Sequence, residues 1–333
     1  MSGNSPVILW FRRDLRLSDH PALDMAAQSG KPVIPVFIHD DQIDDLGAAP
    51  KWRLGLGVET LADSLAEISS RLILRKGNAL DVLRALVAQT GAGAVYWTRL
   101  YDPNSVRRDT EIRNTLISES IDARSFGGHL MFEPWTVETK AGGYYKVYTP
   151  FWNAVKNKGV DLPVRRPSML IKPDTWPDSD DIEHWQMGAA MQRGAEIVRP
   201  FVQLGEKTAQ SRLGSFIAQG IADYRKNRDL PGVDGTSNLS ENLALGEISP
   251  RQCWHAGQRA LNEGKSGAET FLKELVWREF AYHLMYHTPH ILTENWRKEW
   301  ASFPWNDYQA SDVSLADRTE MVPRLSDRLG PRQ

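Results

Sequence analysis

Glu274, Trp277 and Ala281 stand at i, i+3 and i+7, a spacing that puts three side chains on one face of an α-helix. A carboxylate beside an indole, with a small residue next along, makes a floor on which a flat group can rest. Arg278 and Glu279 flank them. The same stripe is what a tryptophan packed into an ordinary core looks like. A second segment begins basic and aromatic (Tyr224-Arg225-Lys226-Asn227-Arg228-Asp229), turns at Asp234-Gly235 and continues as Thr236-Ser237-Asn238-Leu239-Ser240. Small hydroxyl residues after a glycine, ahead of a helix, offer side-chain and backbone donors to a phosphate. A plain helix cap by Ser240 or Thr236 would use the same residues. The third segment, Trp10 to Leu23, carries three arginines and two aspartates after an apolar run. At the carboxyl end of a parallel strand such residues lie where open α/β sheets bind ligands. An Arg–Asp network tying the first loop to a second domain accounts for them equally well.

Other chemistry finds little support. There is no G-x-x-x-x-G-K-S/T, no G-x-G-x-x-G after a strand, no H-E-x-x-H and no G-x-S-x-G. His283, His287 and His290 lie close in sequence, and the first two share a helix face, but no acidic third ligand accompanies them. Packing or surface roles are expected for them, and no metal.

The elements that must position these residues alternate over the first 135 positions. Val7–Phe11, Val33–Ile38, Arg71–Leu74, Ala94–Trp97 and Ile121–Phe126 read as strands. Between them lie helical stripes: Pro21–Ser29, the run Leu54, Val58, Leu61, Leu65 and Ile68, then Leu80 to Val87, and a charged helix from about Ser105 to Ser118. Strand–helix alternation predicts an α/β domain, a five-stranded doubly wound parallel sheet over 5–135, with the Arg12–Arg16 loop at its carboxyl edge. Residues 136–200 break the rhythm with Gly142-Gly143 and several prolines, and read as a wrapping connector. From about Phe201 the pattern is helical, giving an all-α domain over 201–306. Within it Ser249-Pro250-Arg251-Gln252 has the residues of a capping box. Residues 307–333 show no period and read as a tail with no core of its own.

Composition narrows the classes. The 333 residues carry 40 basic and 42 acidic side chains, which disfavours a protein coated in positive charge but allows a local basic patch. A hydrophobic share of 41% is enough for a core. Cys253 is the one cysteine, which excludes a disulfide framework and Cys₄ or Cys₂His₂ zinc sites. With no apolar run near the ~20 residues of a membrane span and no signal-peptide pattern at Met1–Pro6, a cytoplasmic, membrane-free monomer is expected. Twelve tryptophans are unusually many, and a cluster of them would suit stacking on a flat ligand.

Taken together, the three segments resemble the photolyase/cryptochrome family. Trp10 to Leu23 looks like the family's N-terminal signature, Tyr224 to Ser240 like its flavin-phosphate segment, and Glu274-Leu275-Val276-Trp277-Arg278-Glu279-Phe280 like its lesion-facing helix. Order and gaps fit from residue 5 to about 305, and the pattern is most similar to bacterial members that repair cyclobutane pyrimidine dimers. The resemblance implies an antenna domain, a connector and a helical domain holding FAD. Light-excited reduced flavin passes an electron to a pyrimidine dimer flipped out of UV-damaged DNA, the ring splits, and the electron returns. It implies that Tyr224, Thr236, Ser237, Asn238, Leu239 and Ser240 hold the FAD phosphates and that Phe271 and Arg278 line the flavin pocket. Glu274 would hydrogen-bond the dimer and steady its radical anion, Trp277 would stack on it, and Arg228 would bind backbone phosphate. On that assignment Arg228→Ala costs affinity equally for damaged and undamaged DNA, and Arg225, Lys226 and Arg228 make the groove locally basic. A second antenna chromophore, of folate or deazaflavin type, is implied, with Asp102 and Pro103 where antenna contacts occur in some relatives.

Two departures shape the expectations. Position 238 is Asn where the family often has a basic residue. The resemblance stops near Trp305-Asn306, while family members continue, so the chain reads as C-terminally truncated and its activity as impaired. On that reading Phe271, Leu275 and Trp277 are expected to be more exposed than core residues, and Trp296, Trp300 and Trp305 are not assigned to the family's electron relay. The alternatives are a cryptochrome-type blue-light photoreceptor without repair, a binding protein that keeps only the antenna pocket, and an inactive fragment.

Overall fold

The structure, a computed structural model, describes residues 5–303. Trp305, Asn306 and the tail expected over 307–333 lie outside the described residues. Of the described residues, those up to Pro289 form one compact unit and those from His290 on belong to a second.

A five-stranded parallel sheet lies near the amino end. Strand β1 (Val7–Phe11) sits at its centre, between β2 (Val33–His39) and β4 (Ala94–Thr98), with β3 (Ile73–Lys76) and β5 (Asp122–Phe126) at the edges, in the order β3-β2-β1-β4-β5. All five residues of β1 are buried, as expected of a strand covered on both faces. Its side chains alternate: Val7, Leu9 and Phe11 join one core, while Ile8 and Trp10 join another on the opposite face. Helices α1 (Pro21–Gln28) and α3 (Ala48–Glu67) cover the first face through Leu23, Leu54, Val58 and Leu61. Helices α4 (Ala79–Thr90) and α5 (Pro103–Ser118) cover the second through Leu83, Leu86, Ile112 and Leu116. The short α2 (Asp41–Asp44) follows β2.

The expected sheet is therefore present, with strand ends shifted by one or two residues and one helix start by more. The third strand begins at Ile73 rather than Arg71, and α3 begins at Ala48, a turn and a half before the first apolar residue of its stripe. Helix ends are set by local chemistry. The Asn78 side chain accepts from the N–H groups of Leu80 and Asp81, and Gly91 closes α4 at φ 65°, a conformation open to glycine. Asp102 caps α5 ahead of Pro103.

The connector contains more structure than its glycines and prolines suggested. Helix α6 (Tyr148–Val155) lies inside it, and its Phe151, Trp152 and Val155 are buried in a third core. Burying a side chain of this size contributes about 2 kcal/mol. The two-turn helix begins just before Pro150, so the proline marks its first turn and not a break. Beyond it come α7 (Gly194–Val198), α8 (Gly205–Ser215), α9 (Tyr224–Asn227), α10 (Ser240–Leu245), α11 (Pro250–Asn262) and α12 (Ala268–His287). A single π turn, Phe216–Gly220, extends α8. The capping box at Ser249 and Gln252 is formed.

Helices α11 and α12 meet closely at Gly257, where a Cβ would come within 2.8 Å of Leu272 and 3.1 Å of Phe271. That approach seals Phe271 to 3% exposure, and Leu275 is buried too at 4%, contrary to the expectation that they would be open. Phe216 and Tyr224 close over Phe271 from the other side. Trp277 alone of the three is exposed, at 46%.

In the second unit Lys298–Ser302 makes a 3₁₀ turn, and the Arg297 guanidinium lies 5.7 and 5.5 Å from the rings of Trp296 and Trp300. Among the described residues no helix is long and apolar enough to cross a membrane, and no three His, Cys, Asp or Glu side chains are grouped to hold a metal ion.

Candidate active site

Helix α12 buries one stripe, Leu272, Leu275, Val276 and Phe280, and turns Glu274, Trp277 and Ala281 outward. The face anticipated from the spacing is thus an accessible one. Trp277 is not free on both sides. The ring of Tyr148, from the first turn of α6, lies parallel to it at 3.7 Å, and Phe280 meets it edge-on at 5.9 Å. The Tyr148 hydroxyl donates to the Lys273 carbonyl at 2.7 Å, which fixes the ring under the indole. Burial and the nearby Glu274 charge hold the Tyr148 phenol above its usual range, so it stays protonated. One indole face is therefore covered, while Trp277 as a whole is exposed on the helix face it shares with Glu274. A flat group settling there would complete a stack of three rings, and offset or parallel aromatic contacts of this kind add about 0.5–1.5 kcal/mol beyond area burial.

Arg228, just past the end of α9, reaches across to α12. Its Nη1 donates to Oε1 of Glu274, its Nε to Asp229 at 3.3 Å, and its guanidinium lies 5.9 Å from the Tyr224 ring. The hydrogen bond to Glu274 raises the Arg228 pKa further, so the charge is permanent. Both side chains are about a third exposed (30% and 33%), so the pair adds about 1 kcal/mol at most. Arg225 and Lys226 project outward, and neither side chain has a partner among the described residues.

The 235–240 loop is pinned by a close approach. A Cβ at Gly235 would strike Asn227, at 2.5 Å from its Cβ and 2.8 Å from its carbonyl oxygen. Asn238 takes φ 52°, which asparagine tolerates, and its carbonyl accepts from Arg212 at 2.9 Å. Thr236 donates to the Asn238 side chain, which donates to Asp234. Helix α10 begins at Ser240 with no side-chain cap, so neither Ser240 nor Thr236 serves as the ordinary helix cap that the sequence also allowed. Leu239 points into the core, so only its backbone is available. Among the described residues the N–H groups of Thr236, Ser237, Asn238 and Leu239 carry no hydrogen bond, and neither do the Ser237 and Ser240 hydroxyls. A run of unspent donors on a fixed loop is what an anion such as a phosphate needs. Tyr224, buried beneath, packs on Phe216 and Phe271.

Arg278 is placed apart from these groups. Its Nη1 donates to the His129 carbonyl at 2.9 Å, its Nη2 lies 3.1 Å from the His129 ring, and the guanidinium rests on Tyr282. Next to it Glu279, fully buried, accepts from the N–H groups of Met131 and Phe132. Burial pushes the Glu279 carboxyl up to about 7, against the pull of Arg278 and the two N–H donors. Burial and Arg278 also drive His129 well down. These contacts join α12 to the loop after β5, and nothing in the spacing of Arg278 and Glu279 announces partners so far away in sequence.

The Trp10–Leu23 segment sits at the carboxyl edge, beside the point where the strand order reverses between β1 and β4. Nη1 of Arg12 donates to both carboxylate oxygens of Asp109, at 2.7 and 2.8 Å, and Arg13 reaches Asp102 at 3.2 Å. Asp102 is therefore occupied by Arg13 and by its own helix cap. Arg12 and Arg108 also face the ring of Trp10, at 4.6 and 4.8 Å. Arg16 is 1% exposed and donates to the carbonyls of Asp19, Gly128 and Gly246. Asp19 accepts from Arg251 and Ser249 at the start of α11, and Glu206 of α8 accepts from the N–H groups of Leu17 and Ser18. Of the two readings open for this segment, the tie to the helical half describes Arg16 and Asp19. A further tie, Arg53 to the fully buried Glu247 at 2.7 and 2.9 Å, carries no sequence signal.

A family model described as DNA photolyase matches residues 7–168, and one described as the FAD binding domain of DNA photolyase matches residues 271–320. The chain is 39% identical over 309 residues to a deoxyribodipyrimidine photo-lyase of Agrobacterium fabrum, covering 92% of this chain and 64% of that one. It is 30% identical to cryptochrome-2 of Arabidopsis thaliana, over 92% of this chain and 53% of the relative. The crystal structure of a bacterial class III photolyase from Agrobacterium tumefaciens superposes with a TM-score of 0.88 at 38% identity, again over 92% of this chain and 64% of the other. The chain thus spans somewhat less than two thirds of the length of these relatives.

Proposed function

The chain belongs to the photolyase/cryptochrome family, and from that membership we propose that it serves light-driven repair of cyclobutane pyrimidine dimers in DNA, with reduced FAD as electron donor. The observation that carries this is the outward face of α12, which the Glu274 carboxylate shares with the exposed Trp277 indole backed by Tyr148. A flipped pyrimidine pair needs both: a ring to stack on and an acceptor for its N–H groups.

FAD suits the residues present. The unspent N–H groups of Thr236 to Leu239 and the Ser237 and Ser240 hydroxyls would take its phosphates, with Tyr224 and Phe271 forming the apolar floor beneath. Bound and reduced, the flavin supplies the electron on excitation. Glu274 holds the dimer in place by accepting its hydrogen bonds. Trp277, backed by Tyr148, orients the flipped base and keeps water from one side of it. Arg225 and Lys226 take backbone phosphates. In this reading 5–135 is the antenna domain, serving a second chromophore of folate or deazaflavin type, 136–200 the connector, and 201–306 the flavin- and DNA-binding part.

The test is to add FAD, pass the protein through gel filtration, record its absorption, and illuminate it under reducing conditions with a dimer-containing oligonucleotide. Retained flavin and dimer loss in light but not in darkness are expected. Dimer persisting in light overturns the repair reading. Flavin retained and photoreduced without dimer loss would instead favour a photoreceptor, the second reading that the likeness to cryptochrome-2 supports.

A further inference from the structure

Resting on the repair reading, we infer that Arg228 is a positioning residue for Glu274, fixing one oxygen of the carboxylate that reads the lesion while keeping a donor for the DNA backbone. The guanidinium is divided in its loyalties. Nη1 holds Glu274 Oε1, Nε holds Asp229, and Nη2 carries no hydrogen bond among the described residues. On the other side Glu274 Oε2 accepts none. One fork thus joins an occupied carboxylate oxygen to a free donor, with the second carboxylate oxygen left for a base. The Tyr224 ring beneath the guanidinium and the short helix α9 behind it limit where the fork can point.

The consequence separates this from a phosphate contact alone. A side chain that only neutralises a phosphate weakens binding to damaged and undamaged DNA alike, because the backbone carries no lesion information. Arg228 also sets the rotamer of the group that meets the dimer. Its loss leaves Glu274 free to swing among rotamers, and that penalty falls on the lesion complex only. The equal loss expected from sequence is therefore replaced by an unequal one. Lysine is not an equivalent, since an ammonium supplies charge without the planar fork that grips one carboxylate oxygen and points a second donor elsewhere.

The test is fluorescence anisotropy in darkness, with a fluorescein-labelled duplex carrying one thymine dimer and the same duplex undamaged. The full chain is compared with Arg228→Ala, Arg228→Lys, Glu274→Ala and the double variant Arg228→Ala/Glu274→Ala. Arg228→Ala should lower the damaged-to-undamaged affinity ratio about fivefold, the scale of a part-exposed ion pair. Arg228→Lys should keep undamaged binding and its salt dependence but still lose most of the ratio. In the Glu274→Ala background, removing Arg228 should lower undamaged binding and leave the ratio unmoved. Equal losses on both duplexes, or a ratio effect that persists without Glu274, overturn the inference and leave the repair reading intact. A parent chain with no preference for the dimer overturns both.

Discussion

The rings of Tyr148 and Trp277 lie within 6° of parallel with centroids 3.7 Å apart. Tyr148 belongs to a segment that reads as an irregular connector, and Trp277 to the middle of a long helix. Their stacking makes the indole a one-sided surface. Because the tyrosine hydroxyl is tied to Lys273, the ring backs the indole in one orientation.

Tyr148→Phe should therefore keep the stack and change dimer binding little. Tyr148→Ala should lose about 1 kcal/mol of ring contact and weaken binding to dimer-containing DNA several-fold. Affinity for an undamaged duplex is the control, and equal effects of the two substitutions would show that the hydroxyl, not the ring, matters.

Gly246→Ala should destabilise the tie between the sheet and the helices. Gly246 has φ 68°, and a Cβ would lie 2.3 Å from the Arg13 carbonyl oxygen, so the first loop must move. The expected cost is about 2 kcal/mol or more, read as a lower urea midpoint. Arg16→Met, which strips three buried carbonyls of their donor, should cost about 3 kcal/mol in the same measurement.

Glu279 makes stability depend on pH. Its carboxyl rises from an ordinary 4.5 to about 7 on folding. Between those values the folded chain keeps a proton that the unfolded chain has released. The stabilisation is full below the ordinary value and is lost as pH rises through about 7. Relative to Glu279→Gln, the parent chain should lose up to about 3 kcal/mol of unfolding free energy between about pH 5 and about pH 8. Parallel profiles for the two proteins would place the carboxyl elsewhere on the pH scale.

Cys253 should be inert in the folded protein. It is wholly buried, and burial pushes its thiol up to about 12, so thiolate is negligible at neutral pH. Iodoacetamide should label it only at the rate of unfolding, and urea should expose it in step with the loss of helix signal.

The sheet and the exposed face of α12 could be read from sequence because both are local patterns. Branched apolar runs between helical stripes force covered parallel strands, and a spacing of three and seven residues puts Glu274, Trp277 and Ala281 together whatever else the chain does. Helix-start signals such as Ser249 to Gln252 are equally local. What surrounds those side chains is not. Tyr148 under Trp277, Arg228 on Glu274, Glu279 beneath Met131 and Arg16 among three carbonyls each pair groups from distant parts of the chain. No periodicity encodes such pairs, because they depend on how helices pack after the cores have closed. The same packing buried Phe271 and Leu275, which the truncation reading leaves open, since whether a stripe meets solvent or another helix is settled by what packs against it, as at Gly257 for Phe271.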